Sequence, residues 1–121
     1  MAKKKHDPAA ALAAVAEWIT RDDAPTPPRA TIAEAVRATL HTLEERAPGA
    51  SVEVRVPPFA AIQCVEGPAH TRGTPPNVVE MDSRTWLRVA VGLEKVGENP
   101  RIALSGIRAG EIGRWLPMWS V

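Results

Sequence analysis

The spacing of apolar residues changes at Pro48-Gly49, and this change constrains the fold more than any other feature of the sequence. Before it, apolar residues recur at steps of three and four, as in an amphipathic helix that faces a core. They are Ile32, Val36, Leu40, Leu43 and Ala47. After it, residues 51–56 alternate between polar and apolar, as in a strand with one wet face. Because 121 residues leave room for one core, we predict a single α+β domain spanning residues 1–121.

Two N-terminal helices are predicted from the residues at their ends. Asp7 and Pro8 form a helix start, since aspartate caps the N-terminus and proline suits the first helical position. This helix is expected to end near Arg21, before a proline-rich loop. Thr31 and Glu34 have the spacing of a capping box, which predicts the start of the second helix.

The C-terminal half of the chain is predicted to alternate between strands and helices. Strands are expected over residues 51–56, 60–65, 78–81 and 101–105. The first two are predicted to pair as an antiparallel hairpin, and Ile102 and Leu104 are expected to face inward. A third helix is expected to run from Asp82 or Ser83 to Gly92. A last helix after Gly106 would carry Ile112, Trp115, Leu116 and Trp119 on its apolar face.

Composition and charge argue against several classes of protein. The net charge of +1 does not favour a nucleic-acid binder, which would show a basic face. No apolar run approaches the roughly 18 residues of a membrane span, so we expect no stable membrane insertion. The single cysteine, Cys64, cannot form an internal disulfide, and no signal peptide is visible, so we expect a cytoplasmic protein. Residues 1–6, which include three lysines, are predicted to be a disordered tail.

Residues with catalytic potential show no recognisable catalytic or metal-binding spacing. The histidines His6, His41 and His70 lack the spacing of a metal site, and neither a nucleophile elbow nor a phosphate loop occurs. Cys64 lies within a predicted strand and is interpreted as a small core residue. The alternative is a reactive thiol in a transferase, which would require His70 nearby to lower its pKa. We therefore predict that the protein is not an enzyme and uses no cofactor and no metal.

The segment 66–77 is the strongest functional candidate in the sequence alone. It is rich in glycine and proline, and it is long for a loop in so small a domain. Arg72 offers a planar set of donors suited to a carboxylate or phosphate, and Thr74 adds a hydroxyl group. The alternative is a structural loop in which Arg72 pairs with Glu66 or Glu80.

Three of the four tryptophans lie in the C-terminal third of the chain. Trp86, Trp115 and Trp119 would supply the rigid apolar surface of a ligand pocket. The alternative for Trp86 and Trp115 is ordinary core packing. Trp119, which is close to the chain end, would then cover a pocket mouth or contact another subunit.

The chain resembles a family of short actinobacterial proteins described as bacterial orthologues of sterol carrier protein. The resemblance is carried by three runs, which are Val54-Arg55-Val56-Pro57-Pro58-Phe59, Gln63-Cys64-Val65-Glu66-Gly67-Pro68, and His70-Thr71-Arg72-Gly73-Thr74-Pro75-Pro76-Asn77-Val78-Val79-Glu80. It continues through residues 82–87 and Ser105-Gly106. It implies a curved, mostly antiparallel sheet of four to five strands with helices packed on one face. In the wider superfamily, an apolar tunnel between sheet and helices holds fatty acyl chains or sterols, and related domains serve as accessory modules in mycothiol-dependent enzymes.

Two functions of different classes follow from these observations. The first is non-enzymatic carriage of an apolar or amphipathic small molecule, fatty acyl or sterol-like, in a pocket between helices and sheet. Its candidate ligand-binding residues are Ile32, Val36, Leu40, Ile62, Arg72, Thr74, Trp86, Leu87 and Leu116. The second is an interaction module with a filled core, which uses residues 66–77 and Trp119 to contact a protein partner or a second copy of the chain.

Overall fold

A computed structural model describes residues 7–67 and 77–121 of the chain. The described residues form three α-helices, four strands and one 3₁₀ helix. In chain order these elements are α1 (Pro8–Thr20), α2 (Arg29–Arg46), β1 (Val52–Val56), β2 (Ala60–Cys64), β3 (Asn77–Glu80), α3 (Ser83–Ala90), β4 (Ala103–Ser105) and the 3₁₀ helix (Ala109–Trp115). The predicted α+β class is confirmed. The prediction of a disordered tail over residues 1–6 lies outside the described residues.

The helix starts follow local rules, with one correction to the sequence prediction. The Asp7 carboxylate accepts a hydrogen bond from the Ala10 amide, so the predicted cap of α1 is confirmed. The predicted capping box at Thr31 is wrong, because α2 begins two residues earlier, at Arg29. Pro28 is the N-cap residue, and its carbonyl oxygen accepts the first hydrogen bond, from the Thr31 amide at 3.0 Å. Proline has no N–H group and disfavours a helical conformation in the residue before it, but its carbonyl oxygen can accept the first hydrogen bond of a helix.

The four strands form one open sheet in the order β2-β1-β3-β4. Strands β1 and β2 pair antiparallel, as predicted, and so do β3 and β4. Strands β1 and β3 pair parallel, so the sheet is mixed rather than purely antiparallel. Residues Val54, Ile62 and Val79 lie side by side on the inner face of this sheet, since Val54 pairs with both of the others.

The core lies between the inner face of the sheet and the helices. Val52, Val54 and Val56 of β1 have no exposed surface, whereas the alternating Glu53 and Arg55 form an ion pair on the outer face. The apolar stripe of α2 is buried against this layer, as the helical spacing predicts. The helices therefore cover one face of the sheet and leave the other to charged residues.

The C-terminal part of the fold corrects two predictions. Ile102 is buried, but Leu104 is 45% exposed. Leu104 shares the inner face with its partner Val79, yet β4 is a three-residue edge strand, and Gly110 of the 3₁₀ helix, which lies beside Leu104, has no side chain to cover it. The predicted last α-helix is a 3₁₀ helix that ends at Trp115, and residues 116–121 are not helical. This tail is tied to α3, because the amides of Met118 and Trp119 both donate to the Ala90 carbonyl.

Candidate ligand-binding site

A pocket of about 370 Å³ opens beside the 3₁₀ helix, at the C-terminal end of α3. We call it the glycine-lined pocket. Its walls come from α3, the loop that follows α3, the 3₁₀ helix and the first residues after that helix. The lining residues are Val89, Gly92, Glu94, Lys95, Val96, Gly97, Gly110, Gly113, Leu116 and Pro117.

The 3₁₀ helix has three sides, which carry apolar residues, glycines and charged residues respectively. Such a helix has three residues per turn, so residues three apart lie above one another. Ala109 and Ile112 form one side and are fully buried in the core. Gly110 and Gly113 form the second side and line the glycine-lined pocket. The third side carries charged residues, which line a separate cleft described below.

At most of the glycines of this pocket, neither the backbone conformation nor a neighbouring atom excludes a side chain. Gly97, Gly110 and Gly113 have φ values that any residue adopts, unlike Gly92, whose φ is +85°. A Cβ atom at Gly113 would lie 3.9 Å from the Val96 Cβ, which is an ordinary contact, and one at Gly97 would meet nothing within 4 Å. Side chains are therefore sterically permitted at these positions, and their absence leaves the pocket open.

The electrostatics of the pocket are nearly neutral. Glu94 is largely buried, and its carboxylate accepts hydrogen bonds from Arg88 at 2.6 Å, Asn99 at 2.9 Å and Arg101 at 3.3 Å. Burial opposes ionisation, but the hydrogen bonds from Asn99 and Arg88 and the charges of Arg101 and Arg88 hold the pKa of Glu94 below its ordinary value. Its charge is thus satisfied within the protein. Lys95, which is exposed, is the cationic residue among those that line the pocket.

The residues predicted to line a pocket between helices and sheet mostly lie in a filled core. Val36, Leu40, Trp86 and Leu87 have no exposed surface, so none of them borders a space large enough for a water molecule. Ile32 is 6% exposed.

The other predicted ligand-binding residues lie elsewhere. Ile62 is partly buried against the core, and Leu116 lines the glycine-lined pocket. Arg72 and Thr74, together with most of the segment 66–77, lie outside the described residues.

The three C-terminal tryptophans have different positions. Trp86 is fully buried, and its indole nitrogen donates a 2.8 Å hydrogen bond to the Thr39 hydroxyl, so the core-packing interpretation is confirmed for this residue. Trp115 and Trp119 are partly buried and pack against the edge of the core. Trp115 lines the charged cleft on the other side of the 3₁₀ helix.

Cys64 is a core residue, as the sequence predicts. It has no exposed surface, and burial raises the pKa of its thiol to about 11. A neutral, buried thiol is a poor nucleophile, because the thiolate is the reactive form. His70, the base required by the transferase alternative, lies outside the described residues.

Sequence reasoning missed the glycine-lined pocket, although a signal for it is present. Residues 108–115 repeat in threes as charged, apolar, glycine, which is Arg-Ala-Gly, Glu-Ile-Gly, then Arg-Trp. Read at a period of three residues, this run predicts a 3₁₀ helix with one buried side and one side without side chains. The α-helical period instead places Ile112, Trp115 and Leu116 on one face, and it does not indicate the glycine side.

Neither a metal-binding cluster nor a membrane-spanning helix occurs in the described part of the chain. Within residues 7–67 and 77–121, no cluster of three or more histidine, cysteine or acidic side chains is arranged to hold a metal ion. In the same part of the chain, no helix has both the length and the apolar character needed to cross a membrane.

The fold and the pocket together define a small α+β domain with an open mixed sheet, helices on one face and a pocket at the C-terminal side. The chain belongs to the bacterial SCP (sterol carrier protein) ortholog family, whose model matches residues 28–118. The match runs from the start of α2 to Met118 and includes every residue that lines the glycine-lined pocket. No curated protein matches the chain in sequence.

Proposed function

We propose that the protein is a carrier for a small apolar or amphipathic molecule, held in the glycine-lined pocket without a catalytic step. The observation that carries this proposal is the set of glycines at 97, 110 and 113, where the backbone would accept any residue. Glycine in a helix interior costs about 0.5–1 kcal/mol relative to alanine. This loss of stability is expected where an open pocket is needed for ligand binding. Membership of the SCP ortholog family supports a carrier role.

The chemistry of the pocket walls restricts the ligand. Val89, Val96, Leu116 and Pro117 offer apolar surface, and the Glu94 carboxylate is already satisfied by its own partners. A volume of about 370 Å³ is at the small end of ligand pockets, which span roughly 300–1,000 Å³. We therefore propose a ligand with one short acyl chain or a compact ring system. Lys95 is placed to pair with an anionic head group. The cytoplasmic location stays a prediction from the single cysteine.

The test is the binding of a fluorescent fatty acid, dansylaminoundecanoic acid, followed by displacement with decanoic acid and decanol. Gly113→Leu places a side chain towards Val96 and should abolish saturable binding. Ala103→Leu introduces the same leucine side chain at an exposed position on β4, outside the pocket, and should bind like the wild type. The proposal fails if the wild type shows no saturable binding of any of the three ligands, or if both variants bind equally well.

A second function is favoured by a different observation. Ile107 is fully exposed and Leu104 is 45% exposed, while the predicted pocket between helices and sheet is filled. Both features suit an interaction module that presents apolar residues to a protein partner or a second copy. We would then expect a partner or a dimer that is lost in Ile107→Asp or Trp119→Ala but retained in Gly113→Leu. Light scattering and co-purification distinguish this outcome from ligand carriage.

A further inference from the structure

A second cleft, of about 490 Å³, lies on the charged side of the 3₁₀ helix. We call it the arginine-lined cleft. Its walls come from the C-terminal end of α2, the residues after β2 and the 3₁₀ helix. Arg46, Arg108 and Arg114 line it, together with Glu66, Glu111 and Trp115. Three guanidinium groups in one cleft of a nearly neutral protein require an explanation.

Arg108 and Glu111 neutralise each other. The Arg108 guanidinium donates to both carboxylate oxygens of Glu111, at 2.9 and 3.1 Å, and also to the Glu66 carbonyl at 2.8 Å. The Arg108 amide donates to the Asn77 side chain at 2.8 Å. The Arg108 side chain is therefore held in one position, and its donors are largely used.

Arg46 and Arg114 have no hydrogen-bonded acidic partner of this kind among the described residues, although the charge of Arg114 also helps to lower the pKa of Glu111. Among residues 7–67 and 77–121, no carboxylate lies within 4.0 Å of either guanidinium. Residues 1–6 and 68–76 contain no aspartate or glutamate, so they add no acidic partner. With Arg108 paired to Glu111, these two cations face the one remaining carboxylate of the cleft, that of Glu66. The cleft thus keeps a positive charge.

Both of these arginines lie near a tryptophan ring, a contact that uses none of their hydrogen-bond donors. The Arg114 guanidinium lies over the Trp115 ring at 5.9 Å, and the Arg46 guanidinium lies over the Trp119 ring at 5.9 Å. A cation over a ring face is attracted by the charge distribution of the ring, and this contact leaves the guanidinium N–H groups available to an anion. Trp115 also offers the cleft an apolar surface beside the charges.

We propose that the arginine-lined cleft binds a small organic anion through its carboxylate or phosphate group. Arg46 and Arg114 donate to the anion, Arg108 is a positioning residue held in the cleft wall by Glu111 and the Glu66 carbonyl, and Trp115 contacts the organic part. The site is distinct from the glycine-lined pocket, because the two open on different sides of the 3₁₀ helix. It does not depend on the carrier proposal.

Calorimetric titration with inorganic phosphate, phenyl phosphate and decanoate, at low and high salt, tests this proposal. We expect saturable binding of phenyl phosphate that weakens with salt. Arg46→Gln and Arg114→Gln should each weaken it about tenfold, since each removes a charge-assisted hydrogen bond. Arg21→Gln, at an exposed position on α1's C-terminal side, is the matched control and should bind like the wild type.

Two further variants define the site. Trp115→Leu should weaken phenyl phosphate more than inorganic phosphate, because only the former has an organic part to contact. Gly113→Leu should leave anion binding intact while it blocks the glycine-lined pocket, so failure of one proposal is separable from failure of the other. Unfolding in urea confirms that each variant is folded. The proposal is overturned if no anion binds saturably, or if the double variant Arg46→Gln, Arg114→Gln binds phenyl phosphate as tightly as the wild type.

Discussion

The buried thiol of Cys64 should make the stability of the protein depend on pH in the alkaline range. A cysteine thiol in an unfolded chain has a pKa of about 8.5. In the folded protein, burial raises the pKa of the Cys64 thiol to about 11. Between these values the unfolded chain releases the thiol proton and the folded chain keeps it. The free energy of unfolding therefore falls as the pH rises through this window.

The size of the change in the free energy of unfolding follows from the difference between the two pKa values. A difference of one pH unit in pKa corresponds to about 1.4 kcal/mol, so the contribution of Cys64 should reach about 3 kcal/mol. It is fully present below pH about 8.5 and is lost by pH about 11. For a domain with a typical stability of roughly 5–15 kcal/mol, such a loss is easily measured.

Urea unfolding of the wild type and Cys64→Ala at several alkaline pH values measures this contribution. The variant should show a constant offset from the lost sulfur and a shallower pH dependence. The lysines and the α-amino group titrate in both proteins, and the chain contains no tyrosine, so the difference between the two curves isolates the thiol. Parallel curves for the two proteins would refute the reasoning. So would thiolate absorbance that develops in the folded protein near pH about 8.5.

A matched variant separates burial from the thiol itself. Ala61 is exposed on the same strand, so Cys64→Ala combined with Ala61→Cys moves the thiol to the outer face. This protein should react rapidly with a thiol reagent at neutral pH and lose the part of the alkaline pH dependence that the buried thiol causes. The wild type should react at the rate of unfolding. Rapid labelling of the folded wild type would favour the transferase alternative.

The remaining predictions concern stability and are checked by urea unfolding at neutral pH. Thr39→Val leaves the buried Trp86 indole N–H without its acceptor and should destabilise the protein by about 1–3 kcal/mol; a change under about 0.5 kcal/mol would contradict this. Gly49→Ala should destabilise by more than about 1 kcal/mol, because φ is +147° and the new Cβ would lie 2.1 Å from the Val65 carbonyl oxygen. Gly113→Ala should stabilise by about 0.4–1 kcal/mol and weaken ligand binding; a loss of stability there would show that glycine is required by the fold.

Local patterns predicted the fold best where one period governs a whole element. The stripe of α2 and the alternation of β1 are both long enough to identify the element and its buried face. The antiparallel hairpin followed from the short connection between β1 and β2. The parallel pairing of β1 with β3 did not, because it depends on how distant segments meet and leaves no mark in the local pattern.

Leu104 shows why burial is harder to predict than secondary structure. Its alternation with Ile102 correctly places it on the inner face of the sheet, beside Val79. It remains 45% exposed because β4 is at the sheet edge, and the 3₁₀ helix beside it presents Gly110, which has no side chain to cover Leu104. A side chain on the inner face of the sheet is buried only if another element packs over it. Which positions are packed over depends on the whole fold and cannot be read from the local pattern.

The candidate site is hard to predict from the sequence because the pocket is open where glycines, which have no side chains, line it. Reasoning from sequence favours large apolar residues as pocket walls, and Leu40, Trp86 and Leu87 are large and apolar. In the structure such residues fill the space between helices and sheet. An open pocket arises instead where glycines stand in a segment that other residues could occupy, as at Gly110 and Gly113.

The 3₁₀ helix explains how one short segment can separate the glycine-lined pocket from the arginine-lined cleft beside a filled core. A period of three residues gives a short helix three sides, so seven residues suffice to face three environments. Ile112 anchors the helix in the core, which allows its glycine side to stay empty and its arginine side to stay charged. An α-helix of the same sequence would rotate each residue away from its neighbour three positions on and would mix the three sides. The separation of an apolar pocket from a cationic cleft therefore depends on this helix type.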